Sequence, residues 1–440
     1  MYVNRQNKSI IFNSFTSPYI SAVLGPRRVG KSTLVQSFID QNLDKKWVML
    51  NMDIRAERLR VEGEELALLI EEKSRQKIEP QSPLFVSIDE AQKCPSLFEQ
   101  IKVLYDRWKG TPSIKFILTG SGALSLHQLA AESLAGRIQL HHLREFGLRE
   151  TLALQEGNIS LPSLWDHMNE TLQPQVLENT LREISLHRIV LQKTLREKLI
   201  WGGLPEVLTQ EKVKEKESRI SYLGNYLQTY LEKDIRDIGT LSDLTLYQKM
   251  MQLLAQQTGS LHNDKKIVEA LGCSRDTYKK YKGYLEATLM YHEVFPFIQS
   301  SLKRLVKSPK GYLTNNGLIS YLTGIYDENV LEQTGIVGHR FENWVRGELE
   351  IWLDRDPRRS EIYFWKTSGQ VEVDLVVAQT PTIFPFEITW ASRIDGKKVK
   401  HLQQFLHEEK SAPFGFLIYN GDFQYDAQKR IYFLPAWAIG

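Results

Sequence analysis

Short apolar runs alternate with amphipathic segments in the first third of the chain. Four of these runs predict buried strands, at residues 19–24, 47–53, 84–88 and 114–118. Between them, apolar residues recur at helical spacing, as in residues 33–39 and 95–108. Strands that alternate with helices are typical of a parallel α/β sheet, so we expect such a sheet here.

Helical patterns dominate the middle of the chain. A connection rich in Gly, Asn, Ser and Pro at residues 154–174 leads to helical spacing at 175–198 and 217–239. The second segment repeats Tyr222, Tyr226 and Tyr230 on one face. An aromatic face of this kind is typical of a packed core, and stacking on nucleic-acid bases is the alternative.

The C-terminal part has a mixed pattern. Amphipathic spacing predicts helices at residues 339–352 and 398–408. Apolar runs predict four strands, at residues 362–366, 371–377, 383–390 and 414–419. Helix, hairpin, strand, helix and strand therefore follow one another in this part.

The overall charge is close to neutral, with 56 Lys and Arg against 53 Asp and Glu in 440 residues. A nucleic-acid partner would therefore need a local basic surface. Cys94 and Cys273 lack metal-site spacing, which favours a reducing compartment. The sequence has neither the apolar core of a signal peptide at its start nor a run long enough to cross a bilayer. We expect a cytoplasmic protein with no membrane partner.

Residues 25–33, Gly-Pro-Arg-Arg-Val-Gly-Lys-Ser-Thr, fit the pattern G-x-x-x-x-G-K-[ST] between a predicted strand and a predicted helix. Backbone N–H groups of such a loop surround phosphate oxygens, so the loop predicts ATP as ligand. Lys31 would contact the β- and γ-phosphates, and Ser32 would bind Mg²⁺. The predicted nucleotide-binding residues are Gly25, Pro26, Arg28, Val29, Gly30, Lys31, Ser32 and Thr33.

An acidic pair, Asp89 and Glu90, ends the strand at 84–88. This position suits a Walker B element, in which Asp89 would hold Mg²⁺ and Glu90 would activate the attacking water as a general base. Capping of the following helix is the alternative role of the pair.

Two further polar positions are candidates for the same site. Thr119 and Ser121 follow the strand at 114–118, where a side chain can reach the γ-phosphate or the attacking water, and position alone does not separate them. Both also suit an ordinary turn. Arg137 is a candidate arginine finger acting in a neighbouring subunit, and a surface ion pair is its alternative role.

Four motifs together resemble the prokaryotic AAA-type ATPases whose C-terminal half is a domain of unknown function: GPRRVGKST, IDEAQ, LTGSGAL and SLAGR. The resemblance continues through Trp201-Gly-Gly-Leu-Pro and Tyr230-Leu-Glu-Lys-Asp-Ile. It implies a catalytic role for Ser121, a sensor or trans-acting role for Arg137, and a homo-oligomer, for which a hexamer is a candidate assembly. Asn315-Asn316-Gly317 departs from the Asp-Thr-Gly of the family.

A helix–turn–helix is predicted at residues 265–288, with Ser274 as the N-cap of its second helix. That helix would expose basic residues for DNA binding, namely Arg275, Lys279, Lys280 and Lys282. A winged helix used only for packing is the alternative. A second basic cluster would lie on the wing, at Lys303, Arg304, Lys307 and Lys310.

The C-terminal part resembles the restriction-endonuclease-like fold, which implies a candidate second Mg²⁺ site at Glu342, Asp374 and Glu387. Thr389 stands where that family has a lysine, and threonine brings no positive charge to the attacking water. We therefore expect a domain that does not cleave DNA, unless Lys397 or Lys398 reaches back from the next helix.

The predicted architecture has three parts: a P-loop AAA-type α/β domain at residues 1–153, a helical region with a winged helix–turn–helix at 154–335, and an α/β nuclease-like domain at 336–440. The predicted function is an ATPase that couples hydrolysis to the remodelling of DNA, with branched DNA as a candidate substrate. A signalling switch acting on protein partners, an ATP-gated nuclease and a structural ATP-binding protein are the alternatives.

Overall fold

The computed structural model describes residues 3–80, 83–109, 113–121, 123–157, 159–169, 171–209, 215–235, 241–298, 307–356, 358, 360–369 and 371–440. Contacts divide the chain into two compact units. The first comprises Met1–Glu145, Tyr226–Ser242 and Lys282–Met290, and the second comprises Phe146–Asn225, Asp243–Tyr281 and Tyr291–Gly440. The division into parts at 1–153, 154–335 and 336–440 stays a prediction.

The first unit is built on a five-stranded, all-parallel sheet in the order β2-β3-β4-β1-β5. Its strands are β1 (Ile20–Leu24), β2 (Lys46–Asn51), β3 (Leu84–Asp89), β4 (Ile114–Gly120) and β5 (Ile138–His142). Its helices are α1 (Lys8–Thr16), α2 (Lys31–Asp40), α3 (Arg55–Gly63), α4 (Leu66–Ser74), α5 (Ser96–Arg107) and α6 (Ala123–Ser133). The four predicted strands are present, and β1 is buried at every residue, as in sheets covered on both faces.

The second unit begins with helices α7 (Leu148–Gln155), α8 (Pro174–Ser185), α9 (Arg188–Trp201) and α10 (Pro205–Thr209). The helical pattern predicted at 175–198 is confirmed, and it forms two helices, α8 and α9, because the backbone leaves the helical conformation at His187. The segment predicted at 217–239 forms α11 (Lys216–Thr229) and then a π-helical turn, Tyr230–Asp234. Tyr222, Tyr226 and Tyr230 are buried, which confirms the prediction of a packed aromatic face.

Helices α12 (Leu244–Gln256), α13 (Asp264–Leu271) and α14 (Arg275–Ala287) follow. The boundary between the two units passes through α14, after Tyr281. Strands β6 (Ser260–Leu261), β7 (Tyr291–Val294) and β8 (Lys310–Leu313) form an antiparallel sheet in the order β6-β8-β7. The predicted wing residues Lys303 and Arg304 lie outside the described residues.

The chain continues with α15 (Asn316–Thr323), α16 (Glu328–Gln333) and α17 (Val337–Leu353). A six-stranded mixed sheet follows in the order β13-β14-β12-β11-β10-β9. Its elements are β9 (Ser360–Lys366), β10 (Glu372–Gln379), β11 (Thr382–Ile388), α18 (Gly396–Glu408), β12 (Gly415–Tyr419), β13 (Gln424–Asp426) and β14 (Ile431–Pro435). The predicted succession of helix, hairpin, strand, helix and strand is confirmed. In the described parts of the chain, no helix has both the length and the apolar character needed to span a membrane.

Candidate nucleotide site and C-terminal carboxylate cluster

The phosphate loop lies between β1 and α2, as predicted. Gly25 is required there because a Cβ atom would lie 2.1 Å from the carbonyl oxygen of Leu143. Gly30 has a φ of 97°, a left-handed conformation that glycine adopts without strain. Arg28 is exposed, with a φ of 62°. Of the other predicted ligands, Pro26 is half-buried, Val29 is buried and Thr33 is exposed.

Lys31 begins α2 and folds back over the loop. Its Nζ donates to the carbonyl oxygens of Gly25, at 2.9 Å, and Pro26, at 3.0 Å. Burial lowers the pKa of this amine, and the charges of Glu90 and Asp89 oppose the effect. Lys31 is therefore within electrostatic reach of both carboxylates of the acidic pair.

Ser32 and Asp89 lie against each other. The Ser32 hydroxyl is 3.0 Å from Oδ2 and 3.2 Å from Oδ1 of Asp89, and the Thr119 hydroxyl donates to Oδ1 of the same carboxylate. The three side chains border a cavity of about 210 Å³. Hydroxyl and carboxylate oxygens are the ligands that Mg²⁺ prefers, so these donors fit the predicted ion.

Glu90 is held from one side. Its Oε2 accepts hydrogen bonds from the Ser121 hydroxyl at 2.7 Å, the Ser121 N–H at 3.2 Å and Gln92 Nε2 at 2.6 Å. Burial raises the pKa of Glu90, but the charge of Lys31 and these hydrogen bonds outweigh burial, so the pKa lies below its ordinary value. Glu90 is therefore an ionised carboxylate in a protected position, as a general base must be.

The backbone of Glu90 also distinguishes it from a helix cap. Its φ is 51°, and it precedes a 3₁₀ turn, Ala91–Lys93. The Glu90 side chain accepts no capping hydrogen bond from a backbone N–H of that turn. Non-glycine residues with positive φ cluster at functional sites. The capping role considered for the acidic pair is wrong, because α5 begins at Ser96 with Pro95 at its N-cap and no side-chain capping hydrogen bond.

Gln92 is the residue of this site that the sequence did not single out. It lies two residues after the general-base candidate, within the motif Ile-Asp-Glu-Ala-Gln. Its position in the motif was the available signal, but only the 3₁₀ turn at Ala91–Lys93 brings its amide back to Glu90.

Arg137 pairs within its own chain. Its guanidinium binds Asp106 of α5 through Nε at 2.8 Å and Nη2 at 2.9 Å, and Nη1 donates to the carbonyl oxygen of Ala135. Both charged side chains are partly exposed, at 29% and 42%. Among the residues described, Arg137 makes no hydrogen bond to the phosphate loop, and its action in a second subunit stays a prediction.

The predicted DNA-binding residues lie on α14. Ser274 accepts a hydrogen bond from the Thr277 N–H at 3.1 Å, which confirms the predicted N-cap. The inward residues Tyr278, Tyr281 and Leu285 are buried. The basic residues are Arg275, Lys279 and Lys280, which are exposed, and Lys282, which is half-buried.

The second basic cluster is wrong at Lys310. β8 is buried along its whole length, and Lys310 is 3% exposed. Its Nζ lies 3.1 Å from Glu342 Oε1 and 2.8 Å from Glu372 Oε1. Lys310 is therefore a buried counter-ion of two carboxylates and does not lie on an exposed wing. Lys307 is exposed.

The three predicted C-terminal carboxylates fall into two groups. Asp374 of β10 and Glu387 of β11 are bridged by Lys398 of α18, whose Nζ lies 2.6 Å from an oxygen of each. Glu342 of α17 instead binds Lys310 and accepts a hydrogen bond from Tyr312. In the parts of the chain that the structure describes, no group of three or more His, Cys, Asp or Glu side chains is arranged to hold a metal ion.

Lys398 supplies the positive charge that Thr389 lacks. Thr389 is half-buried, and its hydroxyl accepts a hydrogen bond from the Ala391 N–H at 3.3 Å. Lys398 lies between the two carboxylates, and both charges raise the pKa of its amine against the effect of burial. His401, one turn further along α18, lies 2.9 Å from Glu387 Oε1. The reach of Lys398 back to the carboxylates, considered from the sequence, is therefore present.

Three family models match the chain. One described as an AAA domain matches residues 17–152. Two described as domains of unknown function match residues 192–329 (DUF8612) and 337–439 (DUF4143). These matches confirm the resemblance drawn from the motifs.

The chain is also similar to two curated proteins. It is 27% identical over 303 residues to the uncharacterized protein Mb2031c of Mycobacterium bovis and, equally, to the uncharacterized protein Rv2008c of Mycobacterium tuberculosis. The aligned region spans 69% of this chain and 58% of each relative.

Similar solved structures include the Walker-type ATPase PABY2304 of Pyrococcus abyssi, at 14% identity and a TM-score of 0.43, covering 73% of this chain and 96% of that one. The ORC2 protein of Aeropyrum pernix has 13% identity and a TM-score of 0.35, covering 76% and 95%. The RuvB Holliday junction branch migration motor of Thermotoga maritima has 14% identity and a TM-score of 0.26, covering 66% and 90%. With TM-scores below 0.5, these likenesses carry no evidence on function.

The motif residues, the parallel sheet around the phosphate loop and the family matches agree on one organisation. The chain therefore combines an AAA domain, at residues 17–152, with a C-terminal domain of unknown function, DUF4143, at residues 337–439.

Proposed function

We propose that this protein hydrolyses ATP with Mg²⁺ and uses the hydrolysis to remodel DNA. The observation that carries the proposal is the position of Glu90, an ionised carboxylate near Lys31, held at one oxygen by Ser121 and Gln92. A storage site for ATP has no need of an oriented base. A hydrolysis site requires one.

The residues of the chain divide the work as follows. Ser32 and Asp89 would hold Mg²⁺, which supplies charge neutralisation to the phosphate oxygens. Loop N–H groups and Lys31 bind and orient the phosphates. Glu90 takes the proton of the attacking water at Oε1, because the described hydrogen bonds to its carboxylate all go to Oε2.

The DNA part of the proposal is supported by α14. Arg275, Lys279 and Lys280 are exposed on a helix whose other side is buried, and they outnumber its exposed acidic residues, Asp276 and Glu286. A basic helix attracts the phosphate backbone without regard to sequence. Branched DNA is a candidate substrate, and a homo-oligomer in which Arg137 completes a neighbouring site is the assembly that we propose.

The test is ATPase activity of the full chain with and without single-stranded, duplex and branched DNA. We expect DNA to raise the rate, most strongly with its preferred structure. Glu90→Gln should bind ATP but not turn it over, and Glu62→Gln, at an exposed position on α3, should behave as the parent. The absence of both DNA affinity at low salt and DNA-dependent rates would overturn the DNA part. Slow hydrolysis with nucleotide-dependent binding of proteins would instead favour the signalling switch.

A second candidate function is a Mg²⁺-dependent nuclease in the C-terminal domain, and the observation that favours it is Lys398. Its ammonium group lies between Asp374 and Glu387. A lysine in that position can stabilise the attacking hydroxide and the charge on the scissile phosphate. The carboxylates fit a metal ion only when Lys398 moves away from between them.

Digestion of linear and branched DNA with Mg²⁺ tests this second candidate. We expect cleavage to be lost in Asp374→Asn and Lys398→Ala and kept in Lys397→Ala, because Lys397 is an exposed neighbour on the same helix. Equal digestion by the parent and by Asp374→Asn would identify a contaminating nuclease. No digestion by any variant would exclude this function for the substrates and conditions used.

A further inference from the structure

We propose that Asp234 is a positioning residue of the ATP site, because it holds the phosphate loop through Arg27. The proposal rests on the ATPase function proposed above. Arg27 lies in the loop, but the motif assigns no role to it. Asp234 lies more than two hundred residues later, at the end of the π-helical turn Tyr230–Asp234, and both residues belong to the first compact unit.

The pair has the geometry of a strong ion pair. Nε of Arg27 lies 2.8 Å from Oδ1 and 3.0 Å from Oδ2 of Asp234, and Nη2 lies 2.7 Å from Oδ1. The two side chains are only 16% and 9% exposed. An Nε that donates to both oxygens of one carboxylate, with Nη2 at ion-pair distance, restrains the guanidinium in direction as well as distance. Such a pair restrains the loop more than a surface ion pair does.

The same helical stretch also binds the loop backbone. The Tyr226 hydroxyl donates to the carbonyl oxygen of Arg27 at 3.2 Å. The loop is therefore held at both the side chain and the backbone of one residue. We call Tyr226 and Asp234 the loop brace.

The π-helical turn explains how both brace residues reach Arg27. In a regular α-helix, residues eight positions apart are rotated by about 80° from each other. A π turn takes in one extra residue, which reduces that rotation. Tyr226 and Asp234 can therefore both face Arg27, and the π turn is what brings them to the same side of the helical stretch.

The ion pair of Arg27 and Asp234 also affects the pKa of Lys31. The charge of Arg27 lowers the pKa of Lys31, and the charge of Asp234 raises it. Burial lowers the pKa of Arg27, but the hydrogen bond and charge of Asp234 outweigh burial and raise it. Without Asp234, an unpaired guanidinium in the loop would compete with Lys31 for phosphate oxygens and move the loop away from Glu90.

Nucleotide affinity and turnover of the full chain test the proposal. We would titrate a fluorescent ATP analogue with Mg²⁺ and measure kcat and KM for ATP. Asp234→Asn should weaken analogue binding about tenfold and lower kcat, whereas Asp234→Glu, which keeps the charge, should restore most of both. Glu232→Gln is the matched control, because Glu232 is exposed on the same π turn. A thermal melt should show Asp234→Asn folded.

A double-mutant cycle shows whether Asp234 acts through Arg27. We expect Arg27→Ala and Asp234→Asn together to lose no more affinity than the larger single loss. Losses that multiply would overturn the brace, as would parent-like values of Asp234→Asn. If Asp234→Asn does not fold, Tyr226→Phe decides: a loss of about threefold supports the brace and an unchanged affinity overturns it.

The failure of this proposal differs from that of the proposed function. A parent that binds the analogue without hydrolysing ATP would overturn the ATPase alone, because a loss of analogue binding in Asp234→Asn still supports the brace. A parent that hydrolyses ATP, with an Asp234→Asn variant equal to it, would overturn the brace alone. A parent that binds no nucleotide would overturn both.

Discussion

The Ser121 hydroxyl lies 2.7 Å from Oε2 of Glu90. Thr119, two residues earlier, donates instead to Asp89. The sequence could not separate the two hydroxyls, and their hydrogen bonds assign each to a different carboxylate. Thr119 supports the candidate metal ligand, and Ser121 supports the candidate base.

Ser121→Ala should lower kcat for ATP about tenfold and leave KM nearly unchanged. The reason is the loss of a hydrogen bond to a charged oxygen, which orients Glu90 without touching the phosphates. Steady-state ATPase kinetics measure the effect. Ser37→Ala is the control, because Ser37 is also a buried hydroxyl but donates to Leu34 in its own helix. An increase in KM at constant kcat would contradict this assignment.

The pH dependence of the ATPase rate should change when the hydrogen bonds to Glu90 are removed. Glu90 must be ionised to act as a base, so activity falls as the pH drops through its pKa. That pKa is held below its ordinary value by Lys31, Ser121 and Gln92. Gln92→Ala and Ser121→Ala remove two of these causes, so the acid limb of kcat should move to higher pH. A limb unchanged in both variants would show that another group controls it.

Lys115→Met should stabilise the protein at neutral pH by about 1–3 kcal/mol. Burial lowers the pKa of Lys115 to about 7, and its hydrogen bond in the described structure goes to the Ser21 hydroxyl at 3.2 Å. Because the unfolded chain binds this proton more tightly, parent stability rises with pH between about 7 and 10.5.

The advantage of Lys115→Met should therefore shrink over that pH range. Urea unfolding at several pH values measures it, with Lys46→Met on the exposed side of β2 as the control. An advantage that does not depend on pH would mean that packing, and not the buried amine, is responsible.

The geometry of the candidate nucleotide site was largely predictable, because its residues follow short strands in local motifs. Lys31, Ser32, Asp89 and Glu90 are each placed by the strand or helix beside them. Gln92 and Asp234 were not, since their contacts depend on a 3₁₀ turn and a π turn that no periodicity reveals. Arg137 was predictable as a surface ion pair but not as a partner of Asp106, which depends on the packing of α5.

Replacing Arg275, Lys279 and Lys280 by Gln should weaken DNA binding and flatten its salt dependence. Each lost phosphate contact reduces the slope of log K against log salt by about 0.9 for duplex DNA. Fluorescence anisotropy at several salt concentrations measures both quantities. The control replaces three exposed lysines elsewhere in the chain, Lys46, Lys77 and Lys109, by Gln, so that both triple variants have the same net charge. Equal losses in the two triple variants would contradict a specific role for α14.

Lys398→Met should destabilise the protein by about 3 kcal/mol at neutral pH. The substitution removes the ammonium group that lies between the buried carboxylates of Asp374 and Glu387. Lys398 holds the pKa of Asp374 low against burial, whereas burial and Asp374 raise the pKa of Glu387. Protonation at acid pH removes the repulsion, so the loss should shrink as pH falls. Lys397→Met should change little, and a loss equal at all pH values would point to packing.

The grouping of the C-terminal carboxylates could not be predicted from the motif alone. Glu342, Asp374 and Glu387 were predicted as one metal site from the order of their helix and strands. Their grouping depends on two lysines, Lys310 and Lys398, that come from neighbouring elements. Lys310 was predicted as a wing residue because its neighbours in sequence are basic. Its ion pair with Glu342 forms because β8 is buried.

The strand β4 pairs with β1 on one side and β3 on the other. It therefore lies between the strand that leads into the phosphate loop and the strand that ends in the acidic pair. Thr119 and Ser121 lie two residues apart at the end of β4. Thr119 binds the carboxylate of Asp89, and Ser121 binds that of Glu90. A displacement of β4 along its own axis would move both hydroxyls together, so it would disturb the proposed metal ligand Asp89 and the proposed base Glu90 at the same time.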